Sequence, residues 1–403
     1  MLSCSFCGKT QKEVTKLLAG IDTAHICEKC VELSHEVLAK EKKRQSVSEL
    51  KRKLREVFVT PTPREIHEHL NQHIIGQEQV KKGVSVAVYN HCKRIFNDTE
   101  VPVQKSNVLL LGPTGVGKTL IAQTLAMMLG VPFVITDATV ITESGYAGDD
   151  AEVLIQKLFQ ASDYDQARTE IGIIYVDEID KKAKRNDLVS LSRDVSGEGV
   201  QQSLLKLMEG TVVKVPNKPG VLPETLDIDT SNILFIVGGA FVGLDKLVMQ
   251  RVGKNRIGFG DQSQTEKITS WEDYLETADL VSYGLIPEFI GRLPSIGVLH
   301  ELSREDLMRV LTEPKYSLVK QYQALFALDK IKLEFNIKSI EAIVDIAVDQ
   351  KLGARGLRKI LDNILLETQY NLPEYAADGI SRIIITADAV EGKKPLMIKG
   401  GAN

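Results

Sequence analysis

At 403 residues the chain exceeds one average domain, so two or three domains are expected. With 43% hydrophobic and 26% charged residues it has the make-up of a soluble globular protein with real cores. A net charge of −4 excludes a global basic field aimed at nucleic acid or an anionic membrane, and no apolar run reaches membrane-spanning length.

The N-terminus, MLSCSFCGKT, lacks the charged-then-apolar pattern of a signal peptide, so a cytoplasmic location is expected. Residues 1–42 form the first predicted domain. Within it, Cys4-x-x-Cys7, a gap of nineteen residues and Cys27-x-x-Cys30 match four-thiolate zinc spacing. Zn²⁺ takes soft ligands in a tetrahedron, which two knuckle turns can supply, and Gly8 helps the first of them bend. Disulfides are disfavoured in a cytoplasmic chain, and two paired units argue against a lone redox dithiol. With few apolar residues nearby, metal binding is expected to supply most of this module's folding energy, on the order of 10 kcal/mol. His25 reads as a surface histidine that could compete as a ligand. Cys92, in AVYNHCKRIF, reads as a plain helix residue.

Residues 43–63 read as a linker, basic at first and closed by Pro61 and Pro63, with a possible short helix from Ser46 to Phe58. Glu49 and Glu56 interrupt the basic run, which fits a solvated tether better than a nucleic-acid arm. From 64 to 300, NVLLLG, PFVITDA, GIIYVDE and NILFIVGG are nearly continuous apolar runs, as strands of a parallel sheet buried on both faces are. Helical stretches lie between them, so an α/β sandwich is expected. From 301 to 403 a smaller α+β domain is predicted, with helices over Ser303–Leu325, Ile337–Val348 and ARGLRKILDNILLETQYNL, and a late strand in RIIITADAV.

Gly112-Pro113-Thr114-Gly115-Val116-Gly117-Lys118-Thr119 fits G-x-x-x-x-G-K-[ST] without a mismatch. It lies between the strand NVLLL and a helix that continues through Leu120, a context that a chance glycine-rich turn lacks. Such a loop turns main-chain N–H groups toward phosphate oxygens at a helix N-terminus. Lys118 then neutralises the β- and γ-phosphates, and Thr119 offers a hydroxyl to Mg²⁺. The strand GIIYV ends in Asp177 and Glu178, which suits Asp177 to the metal's water shell and Glu178 to polarising the attacking water. Asp180 and Lys181 read as surface or cap residues.

Two glycine-flanked segments expose apolar side chains. In ESGYAGDD, Tyr146 and Ala147 lie between Gly145 and Gly148. In RVGKNRIGFGDQSQ, Ile257 and Phe259 flank Gly258 without helical or strand periodicity, which suggests an anchor for a pocket elsewhere.

The phosphate loop and the acidic strand end resemble those of AAA+ ATPases. With them, HIIGQEQVKKGVSVAVYNH, SRDVSGEGVQQSLLKLMEGT, FIVGGAF, IGFG, GLIPEFIGRLP and GARGLR resemble, in that order, the ClpX family, the ATP-driven unfoldase subunits of the Clp protease. The resemblance covers essentially the whole chain. It implies an AAA+ P-loop α/β fold, a parallel sheet sandwiched by helices. A small α+β C-terminal domain and an N-terminal treble-clef-like zinc module complete it. It also implies a homohexameric ring, ATP, Mg²⁺ and Zn²⁺ as cofactors, a ClpP-type peptidase as partner, and unfolded or tagged proteins as substrates, with adaptor proteins possible and no nucleic-acid or membrane partner.

By the same resemblance, Ile74 and Ile75 contact the adenine, and Gly112 through Leu120 hold the phosphates. Arg292 is the arginine finger given to the neighbouring subunit, with pairing to Glu288 as the alternative. Arg355, or Arg358 one turn on, senses nucleotide from the same subunit. Tyr146 and Ala147 form the pore loop that grips substrate, with a second pore loop at Ser190–Gln201. Ile257, Gly258 and Phe259 dock on the peptidase.

Two departures stand out. The basic Arg-Lys-His pore-entrance loop is reduced to Lys214 and Lys218, which weakens the expectation of degrons ending in a free carboxylate. The sensor-one position in VGGAF has no polar side chain, so no residue is assigned there. A stand-alone remodelling chaperone would share every ATPase residue. A DNA-directed motor is opposed by the acidic balance. A zinc-dependent adaptor with an inactive ATPase fold is opposed by Lys118, Asp177 and Glu178.

Overall fold

The computed structural model describes residues 2–21, 23–34, 60–97, 101, 103–142, 149–184, 197–221, 224–254, 271–350 and 353–400. The chain forms two compact units, Met1–Val59 and Thr60–Asn403. Tyr146, Ala147, Ile257, Gly258, Phe259, the Ser46–Phe58 helix and residues 190–196 of the second pore loop lie outside the described residues.

The first unit is an antiparallel pair, β1 (Leu17–Ala19) and β2 (His25–Cys27), followed by helical residues 28–34, α1. Three-residue strands bury almost nothing by themselves, so the cysteines must organise this piece.

The second unit opens with α2 (Pro63–Asn71). Thr62 caps it reciprocally with Glu65, and Pro63 supplies a preset φ at the first helical position. After α3 (Glu78–Phe96) come β3 (Val108–Leu111), α4 (Lys118–Leu129) and β4 (Phe133–Asp137). The two-residue strands β5 (Ile141–Thr142) and β6 (Asp149–Asp150) pair in parallel. They bracket the segment that carries Tyr146.

Next are α5 (Val153–Ala161), α6 (Gln166–Thr169), β7 (Ile173–Asp177) and α7 (Gly197–Glu209). The hairpin of β8 (Val212–Pro216) and β9 (Thr225–Asp229) carries Lys214 in its first strand and Lys218 in the connection between the two. It is followed by β10 (Leu234–Gly239), α8 (Leu244–Lys254), α9 (Thr277–Tyr283), α10 (Pro287–Gly291) and β11 (Ser295–Val298).

The central sheet has the order β11-β3-β10-β7-β4, with every pair parallel and helices flanking it. β3 and β10 are buried along their whole length, as their unbroken apolar runs require. The four strands expected from sequence are present. β11 was not expected, because its four residues lie in a stretch that reads as the end of the pattern.

The C-terminal small domain contains α11 (Arg304–Thr312), α12 (Leu318–Leu328), β12 (Lys332–Phe335), α13 (Ile337–Asp349), α14 (Gly353–Tyr370), α15 (Leu372–Ala377), β13 (Ile380–Ile385), α16 (Ala387–Val390) and β14 (Leu396–Lys399). The single helix expected over Ser303–Leu325 is broken between Thr312 and Leu318, where Pro314 cannot continue the ladder. β12 pairs parallel and β14 antiparallel with β13, and these helices enclose a hydrophobic cluster of their own.

Candidate nucleotide and metal sites

In the N-terminal unit the ligand atoms of Cys4, Cys7, Cys27 and Cys30 all lie within 4.8 Å of one another. The Cys7 and Cys27 sulfurs are 3.7 Å apart, the edge expected of a tetrahedron with Zn–S bonds of about 2.3 Å. The donor set therefore fits Zn²⁺. Cys27 N–H donates to the Cys4 sulfur at 3.3 Å. Although burial raises the Cys4 thiol, main-chain N–H groups of Cys7, Phe6 and Cys27 outweigh it and hold the thiol down at about 6. Cys30 is pushed up to about 12, chiefly by hydrogen bonding with Cys27. Four clustered sulfurs cannot all carry charge unless a cation is shared among them. His25 stays outside the cluster, its Nδ1 at 2.9 Å from the Thr23 carbonyl. Cys92 is packed in α3, and burial alone pushes its thiol up to about 12, as suits an inert residue.

In the second unit, parallel order puts the carboxyl ends of β3, β10 and β7 side by side, where ligands of open α/β sheets bind. A cavity of about 760 Å³ opens there, of a size for a mononucleotide. It brings together Ile74, Ile75, Thr114–Leu120, Asp177, Glu178 and Arg355. Gly112 has φ +142 and lies so close to the Leu299 carbonyl that a Cβ would stand 2.4 Å from that oxygen. The loop therefore requires glycine at this point.

Lys118 heads α4 and reaches back across the loop, donating to the carbonyls of Gly112 at 2.5 Å and Pro113 at 2.8 Å. Burial pulls its ammonium below the usual range, while the Asp177 and Asp180 carboxylates oppose that shift. A partly desolvated cation over a glycine-rich loop suits an anionic ligand, so the residues present fit a nucleotide phosphate.

Asp177 is held on both oxygens. Thr119 donates its hydroxyl to Oδ2 at 3.2 Å, and Oδ1 accepts from the Tyr175 hydroxyl at 3.2 Å and the Glu178 N–H at 3.0 Å. Tyr175 is fully buried, and burial followed by the Asp177 charge drives its hydroxyl far up, fixing it as a donor. Glu178 has a left-handed backbone, φ 58, and its carboxylate pairs with Lys181.

Asp180 and Lys181 are not mere surface or cap residues, since both line the cavity. Asp180 Oδ1 accepts from Ala240 N–H at 3.1 Å, linking the ends of β7 and β10. This also explains the apolar VGGAF segment. A Cβ on Gly238 would stand 2.1 Å from the Tyr175 hydroxyl, and one on Gly239 would stand 2.7 Å from Asp180 Oδ1. The polar groups at this spot come from β7 and the turn after it. Tyr283, Leu302 and Val310 also line the cavity. Nothing local in the sequence marks them.

Arg355, in α14, packs on the phosphate loop, its main-chain nitrogen 3.6 Å from where a Gly115 Cβ would stand. Arg358 instead acts electrostatically on Tyr322, which bonds Asp362. The geometry therefore favours Arg355. Arg292 lies apart from this cavity and pairs with Glu209 at 2.6 Å rather than with Glu288.

Comparison with protein families gives three matches in chain order. A ClpX C4-type zinc finger covers residues 2–40, an AAA domain of the Cdc48 subfamily covers 103–296, and the C-terminal D2-small domain of ClpB protein covers 302–372. The sheet, the phosphate loop and the AAA match define the class, an AAA+ ATPase. With the zinc finger and the small domain added, the matches are consistent with a ClpX-like AAA+ protein. Among the described residues no helix is long and apolar enough to cross a membrane.

Proposed function

We propose that the chain is an ATP-dependent protein unfoldase and translocase that passes substrates to a ClpP-type peptidase. The observation that carries this reading is one cavity shared by Lys118, the Asp177–Glu178 pair and Arg355 of the C-terminal domain, so nucleotide state is felt by two parts of the chain at once. Mg²⁺–ATP, when bound, supplies the phosphoanhydride whose cleavage drives the cycle. Loop N–H groups and Lys118 hold the phosphates, while Ile74 and Ile75 enclose the base. Thr119 would offer its hydroxyl to Mg²⁺, Asp177 would hold the metal's water shell, and Glu178 would take the proton of the attacking water.

Arg292 serves the neighbouring subunit of a homohexamer, which agrees with its half-exposed place outside its own cavity. Such a finger contributes a rate factor on the order of 10³ to 10⁵. Domains are stable by roughly 5–15 kcal/mol, so repeated pulls by Tyr146 and Ala147 are a sensible way to unfold them. Ile257, Gly258 and Phe259 dock the ring on the peptidase, and the zinc module binds adaptors or substrates.

The test is ATP-dependent degradation of a folded, tagged protein, with and without the peptidase. Degradation that needs ATP, both proteins and the Ile257–Phe259 segment is the expected result. Unfolding without any degradation would leave a stand-alone remodelling chaperone. ATP hydrolysis stimulated by DNA but not by unfolded polypeptide would overturn the reading.

A further inference from the structure

The segment Gln72–Gln77 joins α2 to α3 and carries Ile74 and Ile75 into the cavity. Both of its ends are tied to the C-terminal part of the chain. At one end Lys315 N–H donates to the Gln72 carbonyl at 2.8 Å, and the His73 and Tyr316 rings lie 5.4 Å apart. At the other end, Gln77 spans 223 residues of sequence to reach His300. Its Nε2 donates to the His300 carbonyl at 2.8 Å, and its Oε1 accepts the His300 N–H at 3.0 Å. One buried side-chain amide thus satisfies both main-chain groups of a single residue, as a neighbouring strand would.

His300 lies in the connector between β11 and α11, through which the chain enters the small domain. The residue before it, Leu299, is pressed against phosphate-loop Gly112. Leu302, two residues on, lines the cavity. The connector is therefore touched from the phosphate side by Gly112 and from the Ile74–Ile75 side by Gln77. Gln77 holds this place at a conformational disadvantage. Its φ of 60 is left-handed, a conformation that glycine adopts without penalty and other residues rarely do. Both amide bonds require the side chain that the backbone disfavours.

We propose that Gln77 is a positioning residue, a latch that ties the base side of the nucleotide cavity to the main chain of the interdomain connector. Filling the cavity and moving the small domain then become one event. This rests on the nucleotide reading above. The latch carries the coupling between base and connector; it does not itself touch phosphate or metal.

The experiment uses the full-length protein with ADP as probe and compares the unsubstituted chain with Gln77→Gly and His300→Ala. Glycine relieves the left-handed backbone and removes both bonds. Alanine at 300 keeps the main-chain groups that the latch uses and removes only a ring bonded to Glu272. ADP affinity is measured by equilibrium dialysis, connector protection by hydrogen exchange over residues 299–302 with and without ADP, and turnover against ATP concentration. The unsubstituted protein and His300→Ala should bind ADP and gain protection in the connector. Gln77→Gly should bind ADP within about threefold but lose the ADP-dependent gain, with kcat falling on the order of tenfold and KM nearly unmoved, as lost site-to-site coupling predicts.

An ADP-dependent gain that persists in Gln77→Gly overturns the latch, as does an affinity loss matching the loss in kcat, which would make Gln77 only a wall of the pocket. If the unsubstituted protein binds no ADP, the nucleotide reading falls first and the latch with it. Should Gln77→Gly melt more than a few degrees early, Gln77→Glu carries the same comparison. It keeps the acceptor for His300 N–H and sets a carboxylate against the His300 carbonyl.

Discussion

The zinc module and the ATPase body reach order by opposite means. Among the described residues of the module only Cys4 and Cys27 are buried hydrophobics, while Phe6 and Ile21 stand 71% and 87% exposed. Beside a three-residue strand pair and a few exposed hydrogen bonds, what draws the two ends of this piece together is the cluster of four sulfurs. In the body, order is spread over a core of branched and aromatic side chains, with β3, β7 and β10 lined by residues of near-zero exposure. Each buried apolar Å² there contributes about 25 cal/mol, and no single contact is indispensable. Chemistry and fold are therefore inseparable in the module and separable in the body.

Removing metal should be the most severe way to test this contrast. Chelation, or Cys7→Ser, should unfold the module with a loss on the order of 10 kcal/mol, since binding energy is folding energy in such sites. Hydrogen exchange over residues 2–34 should become unprotected, while the melting of the body and its ATP turnover stay in place. Protection of the module that survives complete metal removal would show that it has a core after all, and the contrast would collapse.

In the body a change of comparable chemical importance should leave the fold untouched. Glu178→Gln is nearly isosteric, and its main-chain N–H to Asp177 is retained. Turnover should fall about 10²-fold, near 2.7 kcal/mol of barrier, with ATP still bound and the melting temperature within a degree or two. Single-turnover hydrolysis beside equilibrium binding makes the measurement. A variant that loses binding together with turnover would assign Glu178 to holding nucleotide and not to activating water.

This separability also governs what could be read from sequence. NVLLL, IIYVD and LFIVGG announce themselves because both faces are buried, FVITD because it carries an apolar run although it lies at the sheet edge and is only partly buried, and the phosphate loop because its residues are contiguous. β11 and β14 are four-residue sheet-edge strands; β11 has one buried position and β14, though it reads LMIK, has none, so neither shows the long apolar run of a strand buried on both faces. The single helix expected over Ser303–Leu325 overlooks Pro314, although proline cannot continue a helix there. Asp180 reads as a surface residue in the sequence because its partner, Ala240 N–H, comes from the neighbouring strand end. Gln77 and His300 meet only after the whole chain is wound. Spacing reveals sites that lie along the backbone, and it is silent where strand adjacency joins residues far apart in sequence.

Tyr175 lies between these cases, and its variant should have the smallest effect. The residue sits in an aliphatic strand, and its hydroxyl occupies the space that a Gly238 side chain would fill. Tyr175→Phe keeps the ring and the packing of β7 against β10, and removes one of the two donors to Asp177 Oδ1. A hydrogen bond to a charged group contributes roughly 1.5–3 kcal/mol, and the remaining Glu178 N–H should keep the loss at the lower end. Turnover should fall about tenfold, with the Mg²⁺ concentration for half-maximal activity raised, because a freer Asp177 carboxylate holds the metal's water shell less well. Direct Mn²⁺ binding in the presence of ADP should weaken in parallel. A Mg²⁺ titration that superimposes on that of the unsubstituted protein would mean that the hydroxyl only satisfies a buried carboxylate, and that the body tolerates change at its site's second layer as readily as in its core.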